Sequence, residues 1–93
     1  MNRYSILQDN KNCYVCGTNK DIHIHEVFYG KNRQNSIKYG CCVYLCGKHH
    51  NLSNDGVHFN RFLNMELKMK MQKRFEEVYP DKDFLDIFKI NYL

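Results

Sequence analysis

The five cysteines and five histidines of this chain all fall between Cys13 and His58. Two pairs have the spacing of metal ligands. Cys13-x-x-Cys16 and Cys46-x-x-His49 each present two donors from a single turn, and zinc takes four such sulfur and nitrogen ligands in a tetrahedron. The spacing predicts a structural zinc held by Cys13, Cys16, Cys46 and His49. In a chain this short, binding worth about 10 kcal/mol or more would decide whether the domain folds. Cys41 and Cys42 are consecutive on an expected strand, so their side chains point to opposite faces and are expected to pack, with either able to replace His49 as fourth ligand. Left over are His23, His25, His50 and His58, together with Glu26. Four histidines beside a zinc knuckle point to a second metal or catalytic site.

These residues must be positioned by few elements. Residues 1–12 read as a loosely held arm and 13–58 as the zinc knuckle and second site. Residues 59–93 read as a helical tail, all within one domain spanning 1–93. Ile22 to Tyr29 is β-branched and aromatic and predicts a strand. Gly30 to Gly40 reads as a long basic and polar loop, Cys41 to Leu45 as a second strand, and Cys46 to His50 as the opening of a short helix or helical turn. Asn51 to Gly56 is turn chemistry. Phe59, Leu63, Leu67, Met71, Phe75 and Tyr79 step by four, widened by Phe62 and Val78, and predict a long amphipathic helix stopped by Pro80. Asp81 is placed to cap a final short helix carrying Phe84, Leu85 and Phe88.

Composition narrows the class. With 93 residues, 43% hydrophobic and 26% charged, the chain is globular with a marginal core. No apolar run approaches the roughly 20 residues of a membrane span. Nothing reads as a secretory signal, and the odd cysteine count favours metal binding over disulfides, so a cytoplasmic location is expected. From Val27 to Asn54 there is no acidic residue, while Lys31, Arg33, Lys38 and Lys48 are basic. With Asn32 these make a candidate nucleic-acid contact, and a phosphate-bearing partner is expected.

Taken in order, these motifs resemble the HNH endonucleases, the ββα-metal (His-Me finger) family. The shared order is C-x-x-C, a strand ending in a His-containing pair, a loop, a strand, C-x-x-[CH]-H and a further His. In this chain those are Cys13 and Cys16, His25-Glu26, Lys31 to Lys38, Cys42 to Leu45, Cys46-x-x-His49-His50, and His58. Small phage-encoded HNH proteins also share N-R-x-x-S, Y-G and G-V-H-F, here Asn32 to Ser36, Tyr39-Gly40 and Gly56 to Phe59.

The resemblance implies a small α+β fold, a zinc-stapled ββα-metal finger followed by a long amphipathic C-terminal helix and a short terminal one. It implies a metal-dependent endonuclease of phage origin that nicks or cuts DNA by phosphodiester hydrolysis. His25, His50 and His58 would hold a catalytic divalent ion (magnesium, manganese, nickel or zinc), and position 26 would be the general base. Two positions depart from the family. Residue 26 is glutamate rather than histidine: it can still accept a proton, or it can be a metal ligand with His23, on the same strand face as His25, as the base. Cys41 stands where the family's middle asparagine is expected, and Asn32 or Asn35 is its candidate substitute. DNA is the expected partner, with a second copy or a phage or host protein as further candidates. The competing readings are a catalytically weak or inactive zinc-stabilised module that binds nucleic acid or protein, and a zinc interaction protein without a nucleic-acid role.

Overall fold

The computed structural model describes residues 3–52, 56–58 and 60–93, with 51 and 52 as backbone alone. The fold is α+β. Strand β1 (Ile22–Glu26) pairs antiparallel with β2 (Cys42–Cys46), with His25 opposite Val43 and Glu26 opposite Cys42. β1 is shorter than the apolar run suggests: after a bond from the Val27 N–H to the Cys41 carbonyl (2.9 Å), the chain turns so that Val27 and Phe28 enter the core.

Every residue of β2 is buried because the N-terminal arm covers its other edge. Ser5 bridges to Cys41, the Ile6 N–H donates to the Gly40 carbonyl at 2.9 Å, and the Tyr44 N–H donates to Gln8 Oε1 at 2.8 Å. The arm is therefore not loosely held from Arg3 onward. Its polar residues cap a sheet edge that would otherwise expose unpaired backbone groups.

The expected loop between Gly30 and Gly40 is helical instead. A 3-10 turn at Gly30–Asn32 leads into α1 (Arg33–Tyr39). Its polar residues satisfy distant backbone groups. Ser36, wholly buried, donates from Oγ to the Phe28 carbonyl at 2.6 Å and accepts from the Phe28 N–H at 3.1 Å. Asn32 and Asn35 donate from their amides to the carbonyls of Phe88 and Ile87, at 3.0 and 3.2 Å. Gly40 closes the helix at φ +74°, and a Cβ there would overlap the ring of Tyr4.

Cys46 leads into a wide π-type turn at Lys48–Leu52, the helical turn expected there. Helix α2 (Arg61–Val78) starts at Asn60, whose side chain accepts from the Phe62 and Leu63 N–H groups. Leu67, Met71 and Phe75 face the core, but the stripe does not run its full length. Phe62 is 82% exposed and Val78 is exposed, while Leu63 and Tyr79 are half-buried. Steps of four residues in a helix of 3.6 per turn advance about 40° each, so a long i+4 stripe winds off the core face at both ends. Phe59 lies outside the described residues, as do 53–55 of the expected turn.

Helix α3 (Phe84–Phe88) is capped by Asp83, not Asp81, because the Lys82 N–H bonds back to Tyr79 and the turn after Pro80 uses Asp81. Phe28, Phe75, Phe84 and Phe88 form the centre of the core, with ring centroids 4.5–5.8 Å apart along their contacts. Burying each of these rings stabilises the fold by about 2–3 kcal/mol, which holds α2 and α3 behind the sheet. Among the described residues, no helix is long and apolar enough to cross a membrane.

Candidate metal centres

The C-x-x-C turn is built by its own backbone: the Cys13 N–H donates to the Thr18 carbonyl (2.8 Å) and the Gly17 N–H to the Cys13 carbonyl (2.9 Å). The Tyr14 N–H then binds the Tyr44 carbonyl at 2.7 Å, which sets the turn against β2. Cys46, ending β2, and His49, on the π-type turn, come to the same point. The Cys16 and Cys46 sulfurs are 3.8 Å apart, and His49 Nδ1 is 3.7 Å from Cys13 Sγ and 3.3 Å from Cys46 Sγ. The edges of a tetrahedral zinc site are about 3.8 Å between sulfurs and about 3.5 Å between sulfur and nitrogen, so a zinc ion fits these four donors. The electrostatics favour a cation. Burial alone would raise the Cys13 thiol, but the N–H groups of Cys16, Cys46 and Val15 hold it down to about 6. Cys46 is pushed up, by burial and by the Cys13 and Cys16 thiols beside it. A cation among the sulfurs relieves that crowding.

Cys41 and Cys42 do not join this set. Both are buried, Cys42 with its thiol pushed up to about 12 by burial and the nearby Glu26 carboxylate, and Cys41 raised by burial and by Cys42. They are packing residues, and His49 keeps its place as fourth donor.

A second donor set lies at the other end of the same turn. His25, on β1, His50, next to His49, and His58 place their ligand nitrogens within 4.8 Å of one another. His58 is returned to His50 by two backbone bonds, from the Val57 N–H to the His49 carbonyl (2.8 Å) and from the His58 N–H to the His50 carbonyl (3.3 Å). The Nε2 atoms of His50 and His58 are 3.1 Å apart, close to the roughly 3.3 Å between nitrogens on a tetrahedral zinc. His25 is 2% exposed, and its Nε2 has no hydrogen-bond partner among the described residues. A buried nitrogen without a described partner, on a ring 5.4 and 5.2 Å from those of His50 and His58, suits a metal ligand. Burial, with the charges of His50, His58 and Lys68, lowers His25 to about 3. His50 is lowered by burial, then by His58 and His23, while Glu26 acts in the other direction. Both rings are therefore held in the neutral form that ligates.

The two candidate bases are both engaged. Alternation along β1 turns Glu26 to the face opposite His25, where its Oε1 meets Arg3 Nε at 3.0 Å and Arg33 Nε at 3.2 Å. His23 shares the face of His25, with Nδ1 2.9 Å from His50 Nδ1 and Nε2 3.2 Å from Asp21 Oδ1.

Of the expected nucleic-acid contacts, Lys31, Arg33, Lys38 and Lys48 are exposed. The Asn32 amide, by contrast, is turned to α3. Three side chains at the histidine set carry no motif in the sequence. The Tyr29 ring lies 6.1 Å from those of His25 and His58, its hydroxyl accepts from Asn64 Nδ2 at 2.9 Å, and Lys68 Nζ sits 4.4 Å over the ring. The local signal for them is that Asn64 and Lys68 are one turn apart on one face of α2.

No protein-family model, no curated protein and no solved structure matches this chain.

Proposed function

We propose that the protein is a metal-dependent phosphodiester hydrolase of the HNH kind that nicks or cuts DNA. The reading rests on one observation: three histidines converge on a point separate from the cysteine set, with a buried His25 nitrogen that has no partner among the described residues. Three protein donors leave a coordination position for water or a phosphate oxygen, as catalytic sites require. A divalent ion held there would supply a bound water of lowered pKa and positive charge to offset the negative charge building on a scissile phosphate. The residues around it supply the rest. His25, His50 and His58 hold the ion, and Tyr29 and Lys68 form one wall, with Lys68 placed to meet a phosphate oxygen. Lys31, Arg33, Lys38 and Lys48 supply sequence-independent backbone contacts. We read Glu26 as the clamp that ties the arm and α1 to β1, because Arg3 and Arg33 occupy its carboxylate. In this reading the chain resembles a ββα-metal finger in which β1, β2 and the π-type turn carry the site.

The engaged Glu26 also favours a second reading, a zinc-stapled module that grips nucleic acid without cutting it. Supercoiled plasmid incubated with the protein and magnesium, manganese, nickel or zinc separates the two. Nicking that EDTA stops and that His58→Ala loses supports the hydrolase; a shifted, uncut plasmid supports the binding module. A plasmid neither cut nor shifted would overturn both readings.

A further inference from the structure

The face of β1 that carries His25 also carries His23, and His23 touches the second donor set from behind. His50 points its Nε2 toward His58 at 3.1 Å and its Nδ1 toward His23 Nδ1 at 2.9 Å. The other nitrogen of His23 lies 3.2 Å from Asp21 Oδ1. Two imidazole nitrogens in contact need one proton between them, and its position decides what His50 can do. For His50 Nε2 to offer a lone pair to the cluster, its proton must sit on Nδ1 and be donated to His23. A neutral His23 then carries its own proton on Nε2 and donates it to Asp21. The opposite order places a proton on His50 Nε2, inside the cluster, and removes that donor.

Asp21 is built into place. Its backbone adopts φ +53°, a left-handed conformation that aspartate tolerates better than most residues, and its carbonyl accepts from the Gly47 N–H at 3.0 Å. Gly47 separates Cys46 from the π-type turn that carries His50, so one short segment anchors both ends of the relay.

We propose that His23 is a positioning residue: with Asp21 behind it, it fixes His50 in the tautomer that directs Nε2 toward His25 and His58. Partners of this kind orient a ligating ring and raise its basicity, and losing one typically lowers metal affinity about 10–100-fold. The inference rests on the reading that the histidine set holds an ion, though not on DNA being cleaved.

The test uses full-length protein with zinc at the cysteine set, titrated with cobalt(II). Visible absorption reads the second ion, and long-range ¹H–¹⁵N spectra read the His50 tautomer before cobalt is added. In the wild type the His50 proton should be on Nδ1. His23→Leu should weaken cobalt binding about 10–100-fold and release the tautomer preference. His23→Gln, whose amide oxygen can accept from His50, should recover most of both. Asp21→Gly, which suits the positive φ, should give a smaller loss in the same direction and covers the case in which His23→Leu does not fold. Unchanged affinity and tautomer in His23→Leu and Asp21→Gly, with cobalt still bound, would overturn this inference alone. A wild type that binds no second ion would overturn both it and the reading of the site.

Discussion

Arg3 reaches from the N-terminal arm to Glu26 at the end of β1, its Nε 3.0 Å from the carboxylate Oε1, and Arg33 meets the same oxygen from α1. One carboxylate thus joins the arm, β1 and α1. Glu26→Gln should lower unfolding stability by about 1–2 kcal/mol in a urea titration, since it weakens charge-assisted bonds at a half-buried position. Nicking should fall by less than about tenfold. A fall of about 10²–10⁴-fold with unchanged stability would instead make Glu26 the proton acceptor.

Cys13→Ser removes the buried donor of the C-x-x-C turn. Zinc content measured by mass spectrometry should drop to near zero, and the cooperative melt followed by circular dichroism should disappear with it. His58→Ala, by contrast, should keep the zinc and the melt. A Cys13→Ser protein that melts like the wild type would show that the cysteine set does not staple the fold.

Proton competition at the histidine set should be weak near neutrality. Protonation opposes metal binding, and two ordinary histidines with pKa near 6.5 would together cost about tenfold in affinity between pH 7 and pH 6. His25 is lowered to about 3, so its ring is already deprotonated across that interval, and the shift of His50 is in the same direction. Cobalt affinity measured at the two pH values should therefore fall by well under tenfold. A tenfold or steeper fall would mean that the pocket does not depress these histidines.

Asn32 and Asn35 bind α3 carbonyls rather than a ligand. Asn32→Ala should destabilise the fold by about 1 kcal/mol while leaving the salt dependence of DNA binding unchanged. A shallower salt slope with unchanged stability would return Asn32 to the nucleic-acid contacts.

The cysteine donor set was legible because its signal is local: Cys13-x-x-Cys16 and Cys46-x-x-His49 can form a turn in only a few ways, whatever surrounds them. The two strands were legible for the same reason, through β-branched and aromatic runs. Helix α1 was not. Asn32, Asn35 and Ser36 have turn-like composition, and what makes them helical is a set of acceptors on Phe28, Ile87 and Phe88, two of them more than fifty residues away. The anchored arm was hidden likewise, since nothing within residues 3–8 announces a sheet edge to cover. Position 26 shows a third kind of limit. Residue order placed Glu26 in a family role, but its pairing with Arg3 and Arg33 depends on how the arm and α1 fold back on β1, which spacing does not report.

His49 and His50 are consecutive, yet one ring turns to the sulfurs and the other to the imidazoles of His25 and His58. Ordering this backbone turn carries an entropic cost of about 1–2 kcal/mol per residue, and it is incurred once for both sets. If both sets hold an ion, whichever fills first would leave the other preorganised, and the two affinities would be coupled by the same factor in each direction. Through the single peptide bond between these histidines, oxidising the cysteine thiols would be expected to slacken the histidine set without touching any of its members.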